Sequence, residues 1–261
     1  MNAPHPVASR AEWLAQRRAL LVREKAQMRR EDELARARRA LPWVRVDAPY
    51  RFDTPDGPCS LADLFDGQRQ LVVQHIMFGP GWDAGCPSCA YMADHVDGMR
   101  PHLAARGIAF VAVSRAPLAE IARFQARMGW RFRWVSSFGS DFNRDLGVSF
   151  DPAEVARGRV HYNYTDQAFP QQEAPGIGVF ARDDDGQVFH TYATYGRGVE
   201  VLMGAYRVMD LTPLGRQEPD VPHKMAWVRH HDRYTAADRP GQDASLAQAP
   251  PAPMFDEAAG Q

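Results

Sequence analysis

One stretch constrains this chain more than any other: a β-rich run, a glycine-rich loop, and two cysteines spaced C-x-x-C where a helical pattern begins. Residues 71–78 read Leu-Val-Val-Gln-His-Ile-Met-Phe, apolar enough for a strand buried on both faces. The loop Gly79-Pro80-Gly81-Trp82-Asp83-Ala84-Gly85 leads into Cys86-Pro87-Ser88-Cys89, and the helical pattern then continues to Arg106, where Gly107 stops it. A cysteine at that junction has a chemical consequence. The backbone N–H groups of a first helical turn, and the positive end of its dipole, stabilise a thiolate.

The pattern on either side extends the alternation. Residues 43–46 and 50–52 are short strand candidates, Thr54-Pro55-Asp56-Gly57-Pro58 is a turn, and residues 60–65 read as one capped helical turn. Residues 108–114 form a second buried strand, 118–128 a helix, and 132–135 a third strand. Residues 139–175 are irregular and polar, with one short helix near 142–146; such a stretch is functional or an insertion. A hairpin follows, 177–180 and 188–192 around Asp183-Asp184-Asp185-Gly186. Residues 199–211 are read as the closing helix, and the Ala-, Pro- and Gln-rich residues from 236 as a disordered tail. Buried parallel strands joined by helices require a layered α/β architecture.

Residues 9–40 carry ten Lys/Arg against five Asp/Glu, net +5, which leaves 21 basic and 27 acidic residues, net −6, in the remainder. Clustered arginine suits phosphate, but acidic residues are interleaved. Leu14, Leu21, Met28 and Ala35 recur every seven positions, and Ser9 with Glu12 forms a capping box. The stronger reading is a long amphipathic helix ending at Leu41-Pro42, packed on the body or on a second copy of the chain; a nucleic-acid arm is the weaker one. No apolar run approaches the roughly 20 residues of a spanning helix, so no membrane partner is expected. The opening residues MNAPHPVASRAEW lack the basic-then-apolar order of a secretory signal. The expected compartment is the cytoplasm, where three cysteines, two of them paired, point to redox or metal chemistry rather than structural bridging.

Several segments together carry a resemblance: LPWVRVDAPYRF, GPGWDAGCPSC, HTYATYGRG, Met209-Asp210-Leu211-Thr212-Pro213, and Trp227-Val228-Arg229-His230-His231-Asp232-Arg233-Tyr234. Over roughly residues 9–234 the chain resembles the bacterial DUF899 family, which is thioredoxin-like. The resemblance implies a thioredoxin-like three-layer α/β sandwich (residues 43–213), with an N-terminal helical extension (1–42) and an insertion (about 139–175) before the final hairpin. Residues 214–235 form a docking segment anchored by Trp227 and Tyr234. It also implies a cis-proline facing the cysteine pair, the place that Pro175, preceded by Ala174, takes in the order. Two departures stand out. Thioredoxins put Trp directly before the first Cys, whereas here Trp82 is four residues earlier and Gly85 is the neighbour. Asp83, three before Cys86, stands where peroxiredoxin-like proteins have Thr or Ser, which weakens a peroxidase reading.

In a dithiol oxidoreductase the first thiol attacks a disulfide and the second resolves the mixed disulfide. Cys86 is then the nucleophile, Cys89 the resolver, and Pro175 presents substrate backbone. Trp82, Pro87, Ser88 and Ala174 are the expected substrate contacts, and a protein or small-molecule disulfide or thiol the expected partner. No cofactor or metal is expected on this reading. The alternative is copper or zinc held by Cys86, Cys89 and His161, since thiolates with imidazole suit those metals. His75 and His190 are further candidate ligands, but His230 and His231 are adjacent and diverge. A third reading is a non-catalytic interaction module, with a homodimer formed through the N-terminal helix. Cys59 is read as an incidental thiol, and the aromatic residues at 130–164 as core.

Overall fold

The computed structural model describes residues 5–218, 224–235 and 238. Its body grows from β4 (Gln70–His75), whose neighbours are β5 (Ile108–Ser114), parallel, and β9 (Gly176–Arg182), antiparallel. Outside β5 lies β6 (Arg133–Ser136), also parallel, and then the hairpin of β2 (Arg51–Thr54) and β3 (Gly57–Ser60). On the other side, β10 (Val188–Tyr195) pairs with β9, and β1 (Val44–Arg45) closes that edge. The eight-stranded order is β1-β10-β9-β4-β5-β6-β2-β3. Parallel strands joined through helices, followed by an antiparallel hairpin, make the body a thioredoxin-like α/β sandwich.

Alternation along β4 separates two cores although both faces are buried. Leu71, Val73 and His75 face one layer, while Val72 and Ile76 face the other and Gln74 donates to the Cys89 carbonyl, 3.2 Å. The first core lies under α2 (Pro87–Ala93), α3 (Val96–Ala104), α4 (Leu118–Met128) and α7 (Gly204–Met209), with Phe124, Trp130, Phe132 and Trp134 stacked inside it. Of the aromatics at 130–164, Trp130, Phe132, Trp134, Phe142, Phe150 and Tyr162 are buried as expected, but Phe138 and Tyr164 lie in turns and are exposed. The second core is covered by Phe52, the turn Ala62–Phe65 and Phe142 of α5 (Phe142–Asp145). The insertion also contains α6 (Pro152–Ala156) and the small hairpin of β7 (Val160–Tyr162) and β8 (Thr165–Gln167), and it has its own core of Val148, Phe150, Val160 and Tyr162. That stretch reads as irregular in sequence because its elements are too short for periodicity.

Three elements differ from expectation. The helix after Cys86 breaks at Asp94–His95 because the His95 ring donates from Nδ1 to the Tyr91 carbonyl, 2.8 Å. The His95 backbone N–H turns to Met92 instead, 3.2 Å. The closing helix is split where Met203 leaves helical space (φ −100°, ψ 69°), so a 3₁₀ segment, Gly196–Leu202, precedes α7. Helix α1 (Arg10–Arg39) has the Ser9/Glu12 capping box and basic residues in its last turn, yet buries no residue. Packing of α1 on the body through the stripe at 14, 21, 28 and 35 is therefore not seen, and Trp13, Leu20, Val22, Met28 and Leu34 remain exposed. The tail expected from 236 lies outside the described residues except for Asp238. Among the described residues, no helix is long and apolar enough to cross a membrane.

His75 is sealed in the second core beside Phe142, 1% exposed, with neither ring nitrogen hydrogen-bonded. Burial first, and then His190, push its pKa down to about 3, so the ring is neutral in the fold. The unfolded chain binds a proton near 6.5 that the native state refuses, so stability is full above that pH and falls on acidification toward 3. His75→Phe is expected to keep the fold at neutral pH and to remove about one proton from the acid dependence of unfolding. Urea titrations at several pH values between 4 and 7.5 measure this. Deleting residues 1–40 is expected to leave the thermal transition of the body within a few degrees, because no residue of α1 is fully buried; calorimetry checks it.

Candidate functional site

The C-terminal end of β4 carries the loop that presents the cysteines. Cys86 is the N-cap of α2, and Pro87 occupies the first turn, where a missing N–H goes unused. The Cys86 N–H donates back to the Met77 carbonyl, 2.9 Å, which ties the helix start to the strand it follows. Cys86 is half-buried, Cys89 is 1% exposed, Ser88 is half-buried and Pro87 is exposed. Both cysteines are free thiols.

The two thiols are electrostatically unequal. The Cys89 thiol donates to the Cys86 sulfur, and that bond is the largest cause of a Cys86 pKa lowered to about 6. Burial opposes the shift, while the backbone N–H groups of Cys89 and Ser88 and the Ser88 hydroxyl reinforce it. The same shared hydrogen bond, together with burial and the charge on Cys86, pushes Cys89 upward. Of the two thiols, Cys86 is thus the one drawn toward thiolate, and Cys89 is the one that holds its proton. Asp83 is exposed and does not figure among the groups acting on the sulfur.

The chain belongs to the DUF899 family. The family model, described as "Bacterial protein of unknown function (DUF899)", matches residues 2–234. No curated protein matches the sequence. Among solved structures, this DUF899 chain is similar to peroxiredoxin Q of Xanthomonas campestris at 12% identity and a TM-score of 0.43, over 64% of this chain and 98% of that one. It is also similar to the peroxidoxin BcpB of Mycobacterium tuberculosis, at 14% identity, a TM-score of 0.41, and 64% and 96% coverage. For PrxQ of Xylella fastidiosa the values are 11%, 0.39, 60% and 87%.

Pro175 lies at the start of β9, beside the end of β4, since the next residue, Gly176, pairs with His75. The Ala174–Pro175 bond is trans, as are all peptide bonds among the described residues, which corrects the expected cis-proline. Its surroundings explain what holds this segment. The insertion takes both sides of it: Ala174 N–H donates to Val148 O, 2.8 Å, and the Tyr162 hydroxyl donates to Pro175 O, 2.7 Å. Ala174 is buried with its N–H spent, so neither side chain nor donor is offered to a substrate. Tyr162 also accepts from Gly196 N, 2.9 Å; burial raises the pKa of its phenol, the Gly196 N–H opposes the rise, and charge on Cys89 adds to it.

Trp82 is half-buried, and its indole crowds Gly79 alongside Glu173. Glu173, 3% exposed, accepts from Arg115 Nη1 at 2.9 Å and from Ser149 Oγ at 2.6 Å; burial raises its pKa and those two donors oppose the rise. No sequence signal singled out this carboxylate, which lies in the irregular insertion. His161 is not brought to the sulfurs: it is 70% exposed on β7 and donates to Asp166, 2.9 Å. Among the described residues, no three His, Cys, Asp or Glu side chains are grouped to hold a metal. Cys59 sits half-buried on β3 with Arg133 Nη2 3.6 Å from its sulfur, and burial raises its pKa.

Alkylation of Cys86 by iodoacetamide is expected to follow a pH profile with a midpoint near 6, falling below it as the sulfur gains its proton. Cys89→Ser is expected to shift that midpoint upward by about one pH unit, because a serine hydroxyl at 89 is a poorer fit to the vacated S–H···S geometry. Mass-resolved alkylation rates between pH 4.5 and 9 read both.

Proposed function

We propose that this protein is a thiol–disulfide oxidoreductase whose working pair is Cys86 and Cys89. The observation that carries the reading is the division of labour between the two thiols: a half-buried sulfur at a helix start whose pKa is drawn down, and a fully buried neighbour whose pKa is pushed up. The Cys86 thiolate attacks one sulfur of a substrate disulfide. An S–S bond forms to Cys86, the substrate S–S bond breaks, and the departing thiolate takes a proton from solvent. With its charge gone, Cys86 no longer holds the Cys89 proton in place. Cys89 attacks the Cys86 sulfur, the bond from Cys86 to the substrate sulfur breaks, and the departing thiolate takes up the proton that Cys89 gives up. The protein ends oxidised by two electrons and the substrate reduced by two. Cys89 is fully buried, so Cys86 is the sulfur it is placed to reach. Pro87, Ser88 and Trp82 form the rim, and Pro175 is the neighbouring backbone a substrate would meet.

The Cys/His metal reading loses its third ligand, because His161 is held by Asp166 on an exposed hairpin. The interaction role draws support from one observation, the exposed apolar side chains of α1; solution mass before and after deletion of residues 1–40 tests self-association. For the dithiol, redox titration of protein purified without chelator is expected to show a two-electron midpoint between roughly −180 and −300 mV, lost in Cys86→Ser. Stoichiometric copper or zinc that blocks the titration would favour the metal reading. Metal-free thiols that stay reduced against every poise would sink both.

A further inference from the structure

The eight-residue motif from Trp227 to Tyr234 has no part in the dithiol chemistry so far, yet it lies over the dithiol loop. Val228 is 4% exposed in the first core. The Trp227 ring meets Tyr91 of α2, centroids 6.0 Å apart, and donates from Nε1 to Glu218, 2.7 Å. His231 donates from Nδ1 to Asp94 at the end of α2, 2.7 Å, on the oxygen that also accepts from Trp130, 2.8 Å. Between these anchors, the His230 ring reaches the loop. Its Nε2 is 2.8 Å from the carbonyl oxygen of Gly85, and its Nδ1 is 2.9 Å from Arg127 Nη2.

Those two partners settle the state of the ring. A carbonyl accepts and never donates, so Nε2 carries the hydrogen. A guanidinium donates and never accepts, so Nδ1 is bare. Arg127 is itself fixed by a two-pronged bond to Asp232, 2.8 and 2.9 Å. The chain of donors therefore runs in one direction: Arg127 to His230 to Gly85.

Its end point is the peptide that precedes the nucleophile. The Gly85–Cys86 peptide has its carbonyl held by His230 and its N–H held by the Met77 carbonyl, 2.9 Å. With both ends of the plane fixed, the plane cannot rotate, and the chain enters Cys86 at a fixed φ of −57°. Steric closure adds to this. A Cβ on Gly85 would lie 2.8 Å from the Phe124 ring, and Phe124 packs in turn against His230, centroids 5.0 Å apart.

We propose that His230 is a positioning residue for Cys86: by holding the Gly85 carbonyl it keeps the Cys86 sulfur aimed at the N–H groups of Ser88 and Cys89, and so makes the C-terminal segment part of the redox site. The proposal rests on the reading of Cys86 as the attacking thiolate.

The test is the pH profile of Cys86 alkylation in Cys59→Ser protein carrying His230, His230→Ala or His230→Gln. Glutamine supplies an N–H for Gly85 and an oxygen for Arg127. His230→Ala is expected to raise the midpoint by about one pH unit, roughly a tenfold loss in the preference for thiolate, and His230→Gln to restore most of it. A folded His230→Ala protein with an unmoved midpoint overturns the proposal. So does an equal shift in both variants, which would assign the effect to ring packing rather than to the hydrogen bond. Should His230→Ala fail to fold, Asp232→Asn loosens Arg127 while leaving the ring and cores intact; a smaller upward shift there supports the proposal, and no shift rejects it. An unsubstituted midpoint near the ordinary thiol value would remove the thiolate reading and the proposal with it, whereas a midpoint near 6 that ignores residue 230 removes the proposal alone.

Discussion

Everything the dithiol can do depends on a fan of backbone hydrogen bonds at the C-terminal end of β4. Ile76 N–H donates to Val113 O, 3.0 Å, the Met77 carbonyl accepts from Cys86, and the Phe78 carbonyl accepts from Ala116, 2.8 Å. Three successive residues are thus spent on three different partners: the neighbouring strand, the cysteine helix and the turn into α4. Side chains reinforce the fan. Ser114 Oγ donates to Ile76 O, 2.7 Å, and accepts from the Trp134 indole, 3.0 Å, both in fully buried surroundings where an unpaired polar group would be costly. The cysteine loop is consequently not a free excursion. It leaves and returns to a strand end whose carbonyls at Ile76, Met77 and Phe78 all accept hydrogen bonds.

Burial of β4 on both faces gives the site its rigidity, and it also explains the least expected residue in the sheet. His75 occupies a core position opposite the cysteine side, where alternation calls for an apolar side chain, and it is tolerated because it stays neutral. Gly178, across the sheet on β9, makes room: a Cβ there would meet the Phe180 ring at 3.1 Å and His75 Nε2 at 3.7 Å. An unpaired polar ring among phenylalanines weakens the core. The sheet absorbs that cost next to its functional end, and nowhere does the ring approach the sulfurs' side of β4.

How much of this was legible follows from the range of the interactions involved. The strand 71–78, the helix start at Cys86, α4 and the Asp-Gly hairpin depend on local periodicity and capping, which a sequence displays directly. Capping boxes are equally local: Ser9/Glu12 and Asp151/Glu154 are both formed. The break at His95 was invisible, because it depends on a side chain taking the carbonyl of Tyr91 and on Ala205, 110 residues away, donating to the other ring nitrogen. Tyr162, Glu173 and His230 were missed as site residues for the same reason: each acts through a partner distant in sequence. His161 drew attention in their place because histidine suggests a ligand, whereas its neighbour Tyr162 is the residue that turns inward.

The parts of the chain that a minimal thioredoxin-like core would not need converge on one place. The insertion sends Tyr162 to the Pro175 carbonyl and toward Cys89, while the C-terminal segment sends His230 to the Gly85 carbonyl beside Cys86. One holds the segment before β9 and the other the peptide before Cys86. At the helix start between them Pro87 is exposed, while Ser88 and Trp82 are half-buried. A long flexible substrate has little free backbone to pair with here, since the N–H of Ala174 and the carbonyl of Pro175 are both engaged. On the dithiol function proposed above, recognition falls to side-chain surface and to the sulfur itself, which favours a small disulfide or an exposed loop disulfide over an extended peptide laid along β9.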